Sequence, residues 1–378
     1  MPKLTNIKFC TGCGACANSC SKGAISLMPI NRLGNLYPSI DPDKCIECGK
    51  CTKCCPELQP KIKVSDEVHC YAAWARDAIE NIKSTSGGIA STASRYILQE
   101  GGKVFGACSK NADVFHIKIS DPEQVDLLRG SKYVQSSVRM TYRETLKELK
   151  TGCRVLYIGT PCQIAGLKAF LQKDYPNLIT MDIICHGTPS THLLNEHLIG
   201  ALHIDYDSVS FRDGGFILKA FDERKNELYK ADLGKNFYCD AYYTAFMKGL
   251  TYRTSCYRCR YANKDRISDI TIGDYWGLGK KEPFFSQESN HGVSVVLTNT
   301  RRGSEILQEL SPLLHIHERK IEEAVNGNCQ LRKPYAYSLR VRLFRFLYNG
   351  GLILEKAVKY SMLDKLLYRQ IKKQFSHE

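Results

Sequence analysis

A cysteine-rich α+β module, an α/β body and a basic helical tail are predicted for this chain of 378 residues. Three observations predict that order. Nine of the eighteen cysteines fall between residues 10 and 55. From residue 68 onward, short apolar runs alternate with helix-like segments, as in layered sheets covered by helices. Beyond residue 331, basic residues interleave with Leu, Phe, Tyr and Ile. The regions so drawn are 1–62, 68–148, 149–330 and 331–378.

Composition narrows the class. A hydrophobic fraction of 43% suffices for an ordinary packed core. The formal net charge of +14 is uneven: eleven Lys and Arg against three Asp and Glu from Arg332 onward supply +8 of it. No finger, helix-turn-helix or RNA-recognition signature accompanies this charge, so nucleic acid is not expected as a partner. The start, Met1 to Thr5, lacks the apolar stretch of an export signal, and no run of eighteen apolar residues could span a bilayer. Cysteines at ligand spacing in such a chain point to a reducing compartment, the cytoplasm, rather than to disulfides.

The module comes first. Cys10-Thr-Gly-Cys13-Gly-Ala-Cys16-Ala-Asn-Ser-Cys20 and Cys45-Ile-Glu-Cys48-Gly-Lys-Cys51-Thr-Lys-Cys54-Cys55-Pro56 both carry C-x2-C-x2-C-x3-C. Two-residue gaps let a tight loop aim successive sulfurs inward, and in this paired pattern the fourth cysteine serves the other cluster. Cys10, Cys13, Cys16 and Cys55 are then expected to hold one 4Fe-4S cluster, and Cys45, Cys48, Cys51 and Cys20 a second. A pair of zinc sites is the alternative, but eight thiolates in this spacing oversupply it. Residues 5 to about 60 resemble the bacterial two-cluster ferredoxin family, which implies a ferredoxin-like fold. Ser21 stands where that family usually has proline. Cys54 falls outside the pattern and is read as a spectator.

The body follows. Ser84-Thr85-Ser86-Gly87-Gly88 reads as a turn opening a helix that Gly101-Gly102 closes. Lys103 to Ala107, Arg154 to Gly159 and the run from Leu178 read as strands, with a helix from Ile164 to Gln172 between the last two. Strand ends are where ligands sit in such sheets. The Ser-Gly-Gly turn at a helix start offers amides to a phosphate, or is simply an N-cap.

Motifs in this order carry a second resemblance: Ser86-Gly87-Gly88, Lys132-Tyr133-Val134-Gln135-Ser136, Gly159-Thr160-Pro161-Cys162-Gln163, Cys185-His186-Gly187, Phe211-Arg212-Asp213, Ser255-Cys256-x2-Cys259 and Gly273-Asp274-Tyr275-Trp276-Gly277. Residues 70 to 330 resemble the family of coenzyme F420 hydrogenase/dehydrogenase β subunits. The resemblance implies a flavin-binding body holding FAD, with a further 4Fe-4S cluster beside it. It places Ser86, Gly87 and Gly88 at the FAD phosphates, Lys132, Tyr133 and Gln135 at the border of that site, and Thr160 and Gln163 at its closure. For the third cluster it nominates Cys162, Cys185, Cys256 and Cys259, with Cys108 as substitute; a zinc site or inert buried thiols are the alternatives. Cys70, Cys153, Cys239 and Cys329 are assigned to packing. His186 and Lys132 are the candidates for chemistry, Asp274 and Trp276 for the wall. Scaffold histidine, surface turn, turn cap and core tryptophan are the plainer readings of these four.

Clusters pass single electrons, whereas deazaflavins and most organic substrates exchange two. A flavin joins the two regimes. The implied protein is an oxidoreductase relaying electrons between a ferredoxin or partner subunit, the clusters, FAD and a two-electron substrate. That substrate is coenzyme F420 or, as the basic tail resembles polysaccharide-associated members, a polysaccharide precursor. The alternatives are a non-catalytic electron-transfer subunit that feeds a separate enzyme, and a structural iron-sulfur or zinc protein. The tail itself suits an anionic lipid surface at the inner membrane face, an acidic partner, or a helical pair packed on the body.

Overall fold

The computed structural model describes residues 2–60, 68–280, 282–284 and 291–363. Its strands, in chain order, are β1 (Ile25–Pro29), β2 (Leu36–Ile40), β3 (His69–Ala75), β4 (Lys103–Lys110), β5 (Asp113–Ile119), β6 (Val155–Gly159), β7 (Leu178–Ile183), β8 (Ser208–Ser210), β9 (Ile217–Phe221), β10 (Glu227–Asp232), β11 (Ile270–Asp274), β12 (Ser294–Thr298) and β13 (Leu314–Arg319). The first two pair antiparallel and, with the short helices Ala15–Ser19 and Lys50–Lys53, build the cysteine-rich module. Cys51 packs there with Ala17 and Ile25, so thiols help fill a core too small for many bulky side chains.

The body rests on one eight-stranded sheet in the order β13-β3-β12-β11-β7-β6-β4-β5. The run from β11 to β4 is parallel, while β5 and the trio β12, β3 and β13 join antiparallel. The sheet is therefore mixed, a parallel centre flanked by antiparallel strands. Regions 68–148 and 149–330 both contribute to it, β3 to β5 coming from the first.

Period-two alternation divides its side chains between two cores. Val104, Leu156 and Ile179 face the helix Ile89–Gln99 through Ile89, Ala93 and Ile97. Phe105, Val155, Tyr157 and Leu178 face the opposite way, against Leu149, Ile164 and Leu167 of the helices Thr141–Lys150 and Pro161–Leu171. Burial on both faces explains why these strands read as continuous apolar runs.

A second sheet, β10-β9-β8, packs with the helices Ala241–Met247, Leu339–Asn349 and Leu354–Ser361. Val341, Phe344 and Tyr348 of the tail enter this core, whereas Leu339 and Phe346 are 79% and 76% exposed. Residues 364–378 of the predicted tail lie outside the described residues. Among the described residues no helix is long and apolar enough to cross a membrane.

Candidate functional site

Where the parallel strands end, the sheet opens into a cavity of about 310 Å3. That is a ligand-sized volume at the carboxyl edge of the strands, where open sheets bind ligands. Gly159, Ile183 and Asp274 bring the strand ends to its wall, and Ser86 and Gly88 bring the start of the helix Ile89–Gln99. Gly88 has φ +79°, which a side chain would strain, and no side chain caps the helix. First-turn amides and the positive end of the helix dipole are thus left at the cavity.

Half-buried Lys132 lines the same wall, donating to the carbonyls of Leu128 (2.9 Å) and Arg129 (2.6 Å). Burial pushes it down to about 8, so the site favours an arriving anion as its counter-charge. Desolvation also lowers the pKa of His186, which the Asp274 carboxylate opposes. At the rim Arg212 pairs with Asp274 at 2.9 Å.

Three groups of thiols lead to this cavity. Cys20, Cys45, Cys48 and Cys51 line an outer hollow with Lys22, Lys44 and Lys50, and Cys48 is exposed. Cys10, Cys13, Cys16 and Cys55 line an inner hollow, with Cys10 and Cys13 buried. Cys162 in the first turn of the helix Pro161–Leu171, Cys185 beyond β7, and Cys256 and Cys259 around the turn Thr254–Arg258 lie within electrostatic reach of one another. Burial, with mutual repulsion, pushes Cys185 up to about 12 and Cys259 up to about 11. Such thiols ionise when a metal supplies the positive charge.

The inner and third groups meet. The helix Pro161–Leu171 approaches so closely that a Cβ on Gly166 would stand 2.8 Å from Cys13 Cβ, and Cys13 feels the charge of Cys162. Cys185 is itself part of the cavity wall. Beside this group lies a fully buried ion pair, Arg266 to Asp182 at 2.8 Å, whose arginine lowers both Cys185 and Cys259 against the dominant effect of burial. Among the described residues no three Cys, His, Asp or Glu converge on a point as the shell of a single metal ion does.

Residues 152–324 match the family described as the C terminus of the coenzyme F420 hydrogenase/dehydrogenase beta subunit. This stretch of the chain resembles that C-terminal domain. Residues 9–58 match a 4Fe-4S dicluster domain, and a second dicluster description matches 37–100. Between residues 56 and 100 the only cysteine is Cys70, so both matches fall on the one iron-sulfur module. A coenzyme F420-dependent sulfite reductase of Methanocaldococcus jannaschii is 24% identical over 320 residues, covering 80% of this chain and 46% of its own length. An F(420)H(2) dehydrogenase subunit of Methanosarcina mazei is 23% identical over 174 residues, 43% of this chain and 49% of its own. This chain thus spans less than half of each of these curated relatives. A chain of the xenon-derivatised F420-reducing NiFe hydrogenase complex of Methanosarcina barkeri aligns over 84% of this chain and 95% of its own, at 20% identity and a TM-score of 0.45.

Ser86, Gly88, Lys132, Tyr133, Thr160, Gln163 and His186 all line the cavity. Gln163 accepts from the Thr160 amide (2.9 Å) and donates to Ser136 O (2.9 Å), which ties the helix start to the 132–136 segment. Gly87 and Gln135 lie elsewhere. The Gly87 amide donates to Ser294 Oγ, and a Cβ there would stand 2.4 Å from Ala73 O, so this glycine packs the turn onto β3 and β12. Gln135 instead faces the module: it donates to Thr11 O and accepts from Arg253, each at 3.0 Å.

Trp276 is 42% exposed on the cavity wall and stacks on Phe216, rather than filling a core. Cys108 is buried on β4, within the field of Lys132, Cys70 meets the Tyr275 hydroxyl (3.7 Å) and Cys54 the Ser19 hydroxyl (3.1 Å). Arg212, Arg253 and Arg266 receive no role from the sequence, although the first two stand inside or just before quoted motifs. Position in or beside a motif is the one signal the sequence carries for Arg212 and Arg253, and it does not mark a charge as buried.

Proposed function

We propose that this chain is an iron-sulfur flavoprotein oxidoreductase that moves electrons between a protein carrier and a two-electron substrate, coenzyme F420. Cys45, Cys48, Cys51 and Cys20 hold the outer 4Fe-4S cluster, Cys10, Cys13, Cys16 and Cys55 the inner one, and Cys162, Cys185, Cys256 and Cys259 a third. FAD occupies the cavity. The observation that carries this reading is the row of thiols running from exposed Cys48, through Cys13 where it packs against Gly166 of the helix that also carries Cys162, to Cys185 on the cavity wall.

The residues fit both kinds of group. Four thiols per site, half-buried and mutually repelling in the third group, suit a cationic iron core. An uncapped helix start and a half-buried ammonium with no carboxylate among its hydrogen-bond acceptors in the described residues suit a pyrophosphate. When bound, the flavin supplies the exchange between single electrons and a hydride. The chain's own part is orientation and exclusion: the amides after Gly88 fix the phosphates, Lys132 faces developing negative charge, and Gln163 holds the wall in register. His186 stands exposed on the cavity wall, where an imidazole nitrogen can exchange one proton.

Anaerobic purification with iron, sulfide and flavin quantitation tests the proposal. About twelve irons and one FAD per chain, with the flavin band bleached by reduced F420, are expected. About eight irons and no flavin would overturn it in favour of a non-catalytic electron-transfer subunit, the second reading, which the exposure of Cys48 for a partner also suits.

A further inference from the structure

Two arginines are buried beside the thiol groups, and they differ in one respect. Arg266 has the carboxylate of Asp182 at 2.8 Å. Arg253, also fully buried at 1% exposure, bonds to neutral groups: Nε donates to Cys10 O (2.7 Å), one terminal nitrogen to Leu36 O (2.7 Å) and the other to Gln135 Oε1 (3.0 Å). One face of its guanidinium lies over the Tyr37 ring at 4.1 Å, and a terminal nitrogen is 3.8 Å from Cys10 Sγ. The lack of a side chain at Gly12 makes room for it, since a Cβ there would stand 2.8 Å from the guanidinium. No carboxylate is among its partners in the described residues.

An arginine is a fixed positive charge, and a buried charge without a counter-charge is strongly disfavoured. The chain has nonetheless spent a glycine, a glutamine and two carbonyls on housing this one. Four thiolates around an iron-sulfur cubane form a net anion, and the inner thiol group is what the guanidinium touches. Hydrogen bonds and charge next to cluster sulfurs are among the levers that set reduction potentials. Arg253 also starts the turn carrying Cys256, whose amide donates to Arg253 O at 2.9 Å, so the same residue stands between the inner and third groups.

We propose that Arg253 is the fixed counter-ion of the inner cluster: its buried guanidinium raises that cluster's reduction potential and so makes it the step between the outer cluster and the third. This rests on the ligand sets proposed above. Arg253 is a positioning and tuning residue, and it touches no substrate.

The test is an EPR-monitored redox titration of the anaerobically purified holoprotein, parent against Arg253→Gln and Arg253→Lys. Removing the charge is expected to make reduction of one cluster about tenfold less favourable, a downward shift of about 59 mV for a one-electron couple. The outer cluster keeps its midpoint, and Arg253→Lys recovers most of the shift. Should Arg253→Gln fail to assemble, Gln135→Glu answers the same question. It sets a carboxylate against the guanidinium at the present 3.0 Å contact and is expected to lower the same midpoint.

Unchanged midpoints in whichever of these variants retains its full iron content overturn the inference. A parent protein lacking the eight irons of the module overturns instead the functional reading on which it rests, and iron analysis of the parent separates the two failures.

Discussion

Gly166→Ala is expected to destabilise this protein, against the intrinsic preference of helices. Alanine exceeds glycine in an unconstrained helix by about 1 kcal/mol, and Gly166 lies within the helix Pro161–Leu171. The added methyl, however, would stand 2.8 Å from Cys13 Cβ, 2.9 Å from Cys13 Sγ and 2.9 Å from the Tyr142 hydroxyl. Apolar atoms prefer about 3.5–4.0 Å. Tyr142 has little freedom to yield, being fully buried and hydrogen-bonded to Cys13 O (2.8 Å) and Gln163 O (2.7 Å). Overpacking of this kind costs about 1–3 kcal/mol. Against the propensity gain, that leaves a net loss on the order of 1 kcal/mol, with the module pushed away from Cys162. Anaerobic denaturant unfolding, read together with iron per chain, measures both effects. A Gly166→Ala protein more stable than the parent and fully loaded with iron would show that the module does not press on this helix.

Three further perturbations have signs fixed by the structure. His197 is buried between Asp240 (2.7 Å) and Glu355 (2.8 Å); desolvation alone would lower its pKa, but these two carboxylates overcome it and raise it to about 9. With the folded value above the unfolded one near 6.5, its contribution of roughly 2–3 kcal/mol is complete below about pH 6.5 and fades as pH rises through about 9. Denaturant midpoints between pH 6 and 9.5 should fall in the parent and stay flatter in His197→Gln; parallel curves refute the assignment. Asp182→Asn strips a fully buried arginine of its counter-charge and should cost about 3–5 kcal/mol of unfolding free energy, so a loss under about 1 kcal/mol would mean that water reaches Arg266. Cys185→Ala should release about four irons while leaving about eight in the module, and retention of all twelve would dismiss Cys185 as a ligand.

The module's ligand pattern is legible because C-x2-C spacing is local chemistry written in consecutive residues. Cys162, Cys185, Cys256 and Cys259 are nominated through resemblance alone, since only the adjacency of β6, β7 and β11 brings their loops together. Gln135 misleads for the opposite reason. It sits in a run whose neighbours Lys132, Val134 and Ser136 line the cavity, yet its own side chain turns to Thr11. Contiguity in a motif does not fix the direction of each side chain. The antiparallel half of the sheet escapes notice because β12, buried along its whole length, has neither alternation nor helical period to announce it. Arg253 is invisible for lack of any pattern that marks a charge as buried.

β3 pairs on both sides, but its partners, β12 and β13, begin only at residues 294 and 314. During synthesis, residues 69–75 must therefore wait with two open edges while the intervening chain emerges, and such edges invite wrong pairing. The ligand pattern of the module, by contrast, is complete at residue 55. Metal loading at the amino end is thus free to finish long before the body closes, and the contact of Cys13 with the Pro161–Leu171 helix becomes a late docking event. A nascent or truncated chain would then carry the iron-sulfur absorbance of its module before the body had closed, and the proposed flavin band, arriving later, would report how far folding had gone.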